Sequence, residues 1–557
     1  MTPLRRVLLT ASSVWLALAG VASSLTGMRQ QGSIESYPRL TPILTVKGET
    51  FPSLINVTID DLSAGLESGL FTSVDLVKTY VARIMEVNDT LHAVIEINPD
   101  ALAIAADLDA KRASGKNLGP LHGIPILIKN NIATKDKMDN TAGSWSLLGA
   151  KVPEDSMMAK KLRQAGAIIL GKSNLSQWAN YRSSNSSNGW SAHGGQVYGA
   201  YYPSMDPSGS SSGSGVSSAL GLALAALGTE TSGSIVSPSQ NGNLVGIKPT
   251  VGLTSRYLVI PISEHQDTVG PMARTVKDAA YILQAIAGYD PKDNYTKAIP
   301  HCGKIPNYLA ALDKDGLKGA RIGIPYNILP TSNSTEMVAY YNAIEVMKAA
   351  GATIVAANFL NGSASTSSIV LQADFVSNLA SYLAELTYNP NNVKSLADVQ
   401  KFTQSFALEE YPNRDTATWD SSLALGYNNS DGRFWAGLQQ NYYAGGEAGL
   451  LGAIERNQVD TIILPTSRAA GRAAIVGAPI VTVPLGFYPN GTTVVRTSRG
   501  LVTTAPNFPF GLSFLGGKFT EATLIKLAYA FEQKTMVRNK VQPFLVPTTE
   551  LGDIVGF

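Results

Sequence analysis

The sequence predicts an α/β protein, an α/β/α layered single domain built around a large β-sheet. Two observations carry this. Segments with helical periodicity alternate along the chain with short β-branched apolar runs, the kind buried inside a covered sheet. Hydrophobic residues make up 44% of the 557-residue chain, mean hydropathy is slightly positive and no internal repeat divides it, so a well-filled core is expected.

The elements follow in order. After a Pro-containing lead over Tyr37–Ser53, residues Asp60, Leu62, Leu66, Leu70, Val74, Val77 and Val81 fall at helical spacing. Gly69–Thr72 breaks them into two short helices. Pro99–Ser114 is Ala-rich and reads as a helix with Asp100 in its N-cap region. Ile124–Ile128 is a β-branched run ending in Lys129, a buried-strand pattern. Met157–Gly166 reads as a helix, Ala167–Gly171 as a strand and Ser173–Asn180 as a loop or short helix. Val216–Leu227 is expected to be one apolar helix with a Ser/Gly cluster at its N-terminal end. Val245–Lys248 and Leu258–Pro261 look like short strands, and Thr275-x-x-Asp278 resembles a capping box opening a helix through Ile286. Ala320–Ile324 is a strand, Glu336–Ala350 a helix and Thr353–Ala356 a further strand. From Asn361 to Asn441 the chain reads as an irregular polar excursion, suited to shaping a substrate mouth or forming a surface insertion. Strand character returns at Thr461–Pro465, Ile480–Pro484 and Gly511–Leu515, and Glu521–Gln533 is a final amphipathic helix.

Composition narrows the function classes. Net charge is +2 and no basic stripe is interleaved with aromatics, which argues against nucleic-acid binding. Arg5 and Arg6 precede the apolar run Val7–Ala19 and the small residues Gly20–Ser24, the pattern of a secretory signal cleaved after Ala22; an uncleaved anchor is the rival. No later segment has 18 consecutive apolar residues, so no stable membrane insertion is expected after cleavage. An extracellular protein is therefore expected. Charged residues at only 15% agree with this, as do Asn-x-Ser/Thr sequons at Asn56, Asn88, Asn174, Asn185, Asn294, Asn333, Asn361, Asn428 and Asn490. Cys302 is alone, so no internal disulfide can form, and a buried inert thiol is expected. The five His residues, at 92, 122, 193, 265 and 301, show no metal-ligand spacing with a Cys, so neither a metal nor another cofactor is expected.

The chemistry concentrates in two Ser/Gly clusters between Pro207 and Ser239. Taken alone, Ser208–Ser218 reads as a flexible linker. Hydrolysis of an unactivated carbonyl compound needs a nucleophile, a base and oxyanion donors. GTETSGSI (Gly228–Ile235) supplies Ser234 on small-residue backbone, and consecutive amides at Thr231, Ser232, Gly233 and Ser234 could form an oxyanion nest. A Ser-His-Asp arrangement stays open on these grounds, although the G-x-S-x-G elbow is poorly met. Lys129 at the end of its apolar strand is the competing base, because desolvation favours the neutral amine.

The motifs GPLHGIPILIKNNI, AGAIILGKSNLSQWAN, GSSSGS, GTETSGSI and VGIKPTVGLTSR, in this order, resemble the amidase signature family from about Gly119 to Gly288. Weaker agreement extends over Asp460–Pro465, Pro479–Gly486, Pro509–Gly516 and Glu521–Glu532. GWSAHGGQ and IPISEHQDTVGPMARTVKDAA look most like the peptide amidase branch and its secreted fungal relatives. The resemblance implies a large mixed sheet. With the signal segment read above taken over residues 1–22 and its cleavage between 22 and 27, the resemblance implies an amidase domain over 28–557. That domain would hold a signature core at about 119–288 and a variable substrate-shaping region at about 361–441. It also implies Lys129 as general base, Ser210 as a bridging Ser after a cis peptide bond, Ser234 as acylated nucleophile and Ser211 as a supporting hydroxyl. Thr231, Ser232 and Gly233 match the oxyanion loop, and Trp178–Tyr181, with Ala179 as the substrate-contacting candidate, aligns with the acyl side of the cleft.

Several positions depart from the family pattern. Asn130 stands where Asp is usual, Ser208 where Gly or Cys is usual, Ser232 where Gly or Asp is usual, Val236 where many members carry Arg, and His193 where Arg is frequent. Removing an acid at position 130 would either favour neutral Lys129 or loosen the surrounding order. His122 in the PLHGIP turn reads as structural, and the sequon at Asn174 is expected to be buried and unmodified. The implied reaction is cleavage of a carboxamide C–N bond to carboxylate and ammonia through an acyl-enzyme. Its substrate would be a small amide or peptide amide, with peptide C-terminal amides favoured. Aliphatic, aryl or fatty acyl amides are the alternative, and an inactive secreted binding paralogue is the alternative from another class. A tRNA-dependent amidotransferase subunit, which shares the signature, is disfavoured by the secretory signal and the lack of basic character.

Overall fold

Eleven short strands hydrogen-bond into one sheet in the computed structural model, which describes residues 44–46, 49–360 and 366–555. In chain order they are β1 (Val94–Ile97), β2 (Pro125–Lys129), β3 (Ile168–Ser173), β4 (Ala225–Glu230), β5 (Val245–Lys248) and β6 (Thr268–Ala273). They continue as β7 (Arg321–Ile324), β8 (Thr353–Ala356), β9 (Thr461–Pro465), β10 (Ile480–Phe487) and β11 (Pro509–Leu515). The spatial order is β8-β7-β9-β11-β10-β5-β6-β4-β2-β3-β1. The sheet is mixed: β4, β2 and β3 run parallel, as do β8, β7 and β9, while the central strands pair antiparallel. Every residue of β2, β3, β4, β6 and β11 is buried, which requires cover on both faces and explains their unbroken apolar runs.

The helices that provide the cover begin where their caps dictate. Helices α1 (Ile59–Ser68) and α2 (Ser73–Leu91) each start with a reciprocal Thr–Asp capping box, Thr58 with Asp61 and Thr72 with Asp75. Helix α3 (Ala101–Ala113) follows Asp100, whose carboxylate pairs with Lys137 instead of capping the helix. Helix α4 (Met157–Gln164) leads into β3, and α5 (Ser212–Ala219) and α6 (Val236–Asn241) flank β4. Helix α7 (Val276–Ile286) opens at Thr275, whose hydroxyl accepts from Asp278 N, and α8 (Thr335–Ala349) lies between β7 and β8.

Four expectations are corrected. Val216–Leu227 is not one helix. The Ser/Gly cluster itself forms α5, the chain turns at Gly221, and the Ala/Leu stretch becomes β4. Three arginines take the carbonyls at that turn. Arg83 Nε donates to Gly221 O (2.8 Å) and its NH2 to Leu220 O (3.0 Å), Arg274 to Ser218 O (3.0 Å) and Arg538 to Ala219 O (3.2 Å). These donors satisfy carbonyls that a continuing helix would have used itself.

Leu258–Pro261 is not a sheet strand. Leu258 has φ +57°, and the segment makes one isolated bridge, Val259 to Ile132. The polar stretch before Asn441 is helical, with α9 (Ile369–Ala384), α10 (Leu396–Ser405), α11 (Ala417–Ala424) and α12 (Gly432–Gly445). These helices pack a second core, in which Phe375, Leu379, Tyr382 and Trp419 meet Leu175, Trp178, Ile260 and Ile262. Cys302 is exposed, not buried. Strands β1 and β6 and helix α6 carry no clear sequence signal, and the final helix α13 (Glu521–Thr535) runs two residues beyond its expected end. The proposed signal segment 1–22 and the sequon at Asn361 lie outside the described residues.

Candidate active site

Parallel strands β2 and β4 end side by side, and the site is built on their C-terminal ends, where open α/β sheets commonly hold ligands. Lys129, the last residue of β2, is fully buried. Its Nζ donates to Ser210 Oγ (2.8 Å), Ser211 Oγ (3.1 Å), Thr229 Oγ1 (2.8 Å) and Thr229 O (3.3 Å). Among the described residues no carboxylate is hydrogen-bonded to it. Burial therefore dominates and lowers its pKa to about 7, against the opposing pull of the Asp267 and Glu230 charges.

The Ser210 side of the site comes from the turn before α5. The Gly209–Ser210 peptide bond is cis. A Cβ on Gly209 would lie 2.4 Å from Ser176 Oγ, so glycine is required by close approach there. Ser211 Oγ donates to Thr229 O (3.1 Å) and accepts from Thr229 N (3.2 Å), tying the turn to β4. Ser211 N donates to Ser234 O (3.2 Å), which joins the two Ser/Gly loops.

The Ser234 side is organised by Glu230, the buried last residue of β4. Its carboxylate accepts from Gly233 N (2.7 Å), Ile235 N (2.8 Å) and Val236 N (3.0 Å), which bends the loop into a tight turn before α6. Gly233 sits at φ +90°, which favours glycine. The Gly233 amide is thereby engaged and is not free for an oxyanion, contrary to the expected nest. Among the described residues, the amides of Thr231, Ser232 and Ser234 have no protein acceptor. Ser232 is exposed, while Ser234 keeps 8% of its surface. The Ser234 hydroxyl has no hydrogen-bond partner among the described residues, and no hydrogen bond joins it to Ser210 Oγ.

A narrow cleft adjoins these loops, lined by Asn131, Ala179, Thr229, Thr231, Ile262 and Asp267 among others. Ala179 is thus at the cleft, with Trp178, Ala179 and Asn180 in succession at positive φ. Trp178 itself is buried against Trp419, with ring centroids 5.8 Å apart.

A family model described as Amidase matches residues 75–525. The chain belongs to the amidase family. A curated relative from Arthroderma benhamiae named as an amidase is 52% identical over 532 residues, covering 90% of each chain. Among solved structures, the native peptide amidase of Stenotrophomonas maltophilia is 35% identical with a TM-score of 0.77, covering 89% of this chain and 99% of that one. A peptide amidase in complex with the competitive inhibitor chymostatin is 36% identical with a TM-score of 0.78, covering 87% and 98%.

Within this amidase the histidines stand apart from Ser234. His122 is structural, with Nδ1 accepting from Leu118 N (3.0 Å) and Nε2 2.9 Å from Leu108 O. His193 lies edge-on to Trp145. His265 pairs with Asp374 at 2.8 Å. None is hydrogen-bonded to Ser234, so the Ser-His-Asp arrangement is not formed. Asn130 points away from Lys129. Its Oδ1 accepts from Thr141 Oγ1 (2.6 Å) and Gly143 N (3.1 Å), and its Nδ2 donates to Asp139 O (3.2 Å). The departure at 130 therefore orders the loop 139–143. Asn174 is buried, as expected.

Sequence reasoning did not single out Thr229, Asn131, Glu230 or Asp267. Asn131 Nδ2 donates to Thr229 Oγ1 (3.0 Å), and Thr231 Oγ1 donates to Asp267 Oδ1 (2.5 Å). The signal for Glu230 was present: an acid at the end of an apolar strand, directly before a Gly/Ser turn whose amides need an acceptor.

Proposed function

We propose that this amidase hydrolyses the terminal carboxamide of peptides, with Ser234 as nucleophile, Ser210 as proton relay and Lys129 as general base. The observation that carries the reading is the 2.8 Å contact of Lys129 Nζ with Ser210 Oγ in a site without a paired carboxylate, which favours an amine able to accept a proton near neutrality. Neutral Lys129 takes the Ser210 proton as Ser210 takes that of Ser234. The relay needs a Ser210–Ser234 contact of the kind that commonly tightens only in the substrate complex. Ser234 Oγ then bonds to the carbonyl carbon, and the oxyanion is held by the free N–H groups of the 231–234 turn. The C–N bond breaks as the proton held on Lys129 returns through Ser210 to the leaving nitrogen, releasing ammonia. Water then attacks the acyl carbon, its proton passing through Ser210 to Lys129; the ester bond to Ser234 Oγ breaks, the proton returns to Ser234 and the carboxylate is freed.

Likeness to two peptide amidase structures, one holding chymostatin, supports a peptide over a free fatty or aryl amide. The amino-terminal Arg5–Ser24 pattern supports secretion. The experiment follows ammonia release from peptide amides, aliphatic amides and aryl amides by the purified protein and its Ser234→Ala variant. Turnover is expected with peptide amides and is lost in Ser234→Ala. Preference for an aliphatic or aryl amide would overturn the substrate class, and retained turnover in Ser234→Ala would overturn the mechanism. Sequencing the amino terminus of protein recovered from the medium of a secretory host tests secretion; retention inside the cell would overturn it.

A further inference from the structure

The turn Ile262–Asp267 lies between the Ser234 loop and helix α9, and its polar groups are bonded in both directions. Toward the loop, Thr231 Oγ1 donates to Asp267 Oδ1 (2.5 Å) and Gln266 Nε2 to Thr231 O (3.4 Å). Inside the turn, Ile262 N and Ser263 N donate to Asp267 Oδ2 (2.7 and 3.0 Å), and Asp267 N donates to Ser263 O (2.8 Å). Toward the helix, Ser263 Oγ donates to Asp374 Oδ2 (2.5 Å) and His265 Nδ1 lies 2.8 Å from the same oxygen. Asn429 Nδ2 closes the other side on Asp374 Oδ1 (2.9 Å).

Asp374 is fully buried, and an interior carboxylate is tolerated only when donors surround it. Two of its three donors come from this turn. Glu264, His265 and Asp374 offer atoms within 4.8 Å of one another that could in principle ligate a cation. Both Asp374 oxygens are already bonded, however, His265 Nδ1 faces one of them, and Glu264 Oε1 takes the second hydrogen bond of Asn429 Nδ2 (2.8 Å). The cluster is a hydrogen-bond hub. The same turn also presents Ile262 and Asp267 to the cleft.

We propose that Asp374 is a positioning residue for amide hydrolysis: through Ser263, His265 and Asp267 it fixes Thr231, and with it the N–H groups that open the Ser234 turn. The helical insertion thereby sets the geometry of the reacting loop as well as shaping the molecule around it. The proposal rests on the Ser234 reading above.

The test compares Asp374→Ala, Asp374→Asn, Ser263→Ala and Thr231→Val, and the double variant Asp374→Ala/Thr231→Val, on a peptide amide. Active sites are titrated with a serine-reactive fluorophosphonate, so that kcat is counted per competent site. Asp374→Ala and Thr231→Val should each lower kcat about 10- to 100-fold while KM moves less than about threefold, since an oxyanion-side defect acts on the transition state. Asp374→Asn, which keeps one acceptor for the turn, should lie between Asp374→Ala and the parent. The double variant should fall no further than the worse single one, because both act through one group. A lowered Tm with unchanged kcat per titrated site, or losses that multiply in the double variant, would overturn the proposal. Where Asp374→Ala fails to fold, Ser263→Ala and Asp374→Asn carry the same comparison against Thr231→Val. Full turnover by Ser234→Ala would overturn the nucleophile assignment instead, and is read separately.

Discussion

Lys129 is surrounded by hydroxyl and carbonyl oxygens, and its nearest negative charges, Asp267 and Glu230, act at longer range. Its pKa near 7 gives a definite pH dependence. A base must be deprotonated to act, so kcat/KM should rise with unit slope through about pH 7 and level above it. Lys129→Met should lower kcat/KM by at least about 100-fold and abolish that rise, measured on one peptide amide from pH 5 to 9. A rise retained in Lys129→Met would assign it to another group. Glu230 invites a second substitution. Glu230→Gln keeps an acceptor but loses the charge shared by three amides, and should lower both Tm and kcat, read by thermal unfolding and initial rates. The sequons also divide at this scale. Asn174 is buried, Asn88 Nδ2 donates to Val94 O and Asn185 Nδ2 to Asn413 O, whereas Asn56, Asn294, Asn333 and Asn490 are exposed with no side-chain hydrogen bond. Glycopeptide mapping of protein made in a secretory host should find glycans in the second group and none at Asn174.

At the scale of elements, the decisive event is the division of the Ala/Leu run after the Ser/Gly cluster. Periodicity reads Val216–Leu227 as one helix because small and apolar residues are acceptable on every face of a buried helix. The break is made by residues far away in sequence, Arg83 on α2, Arg274 beside β6 and Arg538 near the carboxyl end, whose guanidinium groups meet the carbonyls of Ser218–Gly221. Arg83 NH1 also donates to Thr549 O (2.6 Å) and pairs with Glu550 (3.3 Å). Arg83→Met should therefore destabilise the protein by about 3–5 kcal/mol, as removal of one partner from a buried pair does, checked by urea unfolding. A change below about 1 kcal/mol would show that the turn holds without it. The 361–441 region reads as irregular for a different reason. Its helices carry a narrow apolar stripe, Phe375, Leu379, Tyr382 and Leu383 in α9, inside a Ser- and Asn-rich composition that suggests loop. The spacing was legible; composition outweighed it.

At the scale of the whole molecule, three lysines among the described residues are fully buried, Lys129, Lys172 and Lys248, with pKa values lowered by burial to about 7, 8 and 8. An unfolded lysine titrates near 10.4, so between about pH 8 and 10 the unfolded chain binds more protons than the folded one. These groups therefore add stability as pH rises through that window and subtract it as pH falls. Lys248, which donates to Ala478 O (2.8 Å) and makes no hydrogen bond to Ser210, Ser211 or Ser234, tests the effect. Tm of the parent should climb more steeply from pH 8 to 10 than Tm of Lys248→Met; parallel curves would refute the linkage. The alternating pattern foretold the layered sheet, most of its strands and the two Ser/Gly loops, because these follow from local periodicity and from small residues where backbones approach closely. Strands β1 and β6 were illegible, since Val94–Ile97 is a four-residue edge and Thr268–Ala273 is interrupted by Gly270 and Pro271. By itself the sequence determined the α/β layering, and its resemblance to the amidase signature family pointed to Lys129, Ser210, Ser211 and Ser234 as one group. Only the tertiary structure decided that the Gly233 amide is held by Glu230, that Asn130 faces away from Lys129 and that Asp374 reaches Thr231 through a turn. Such assignments depend on which donors and acceptors meet once distant segments are packed, and no local spacing encodes that meeting.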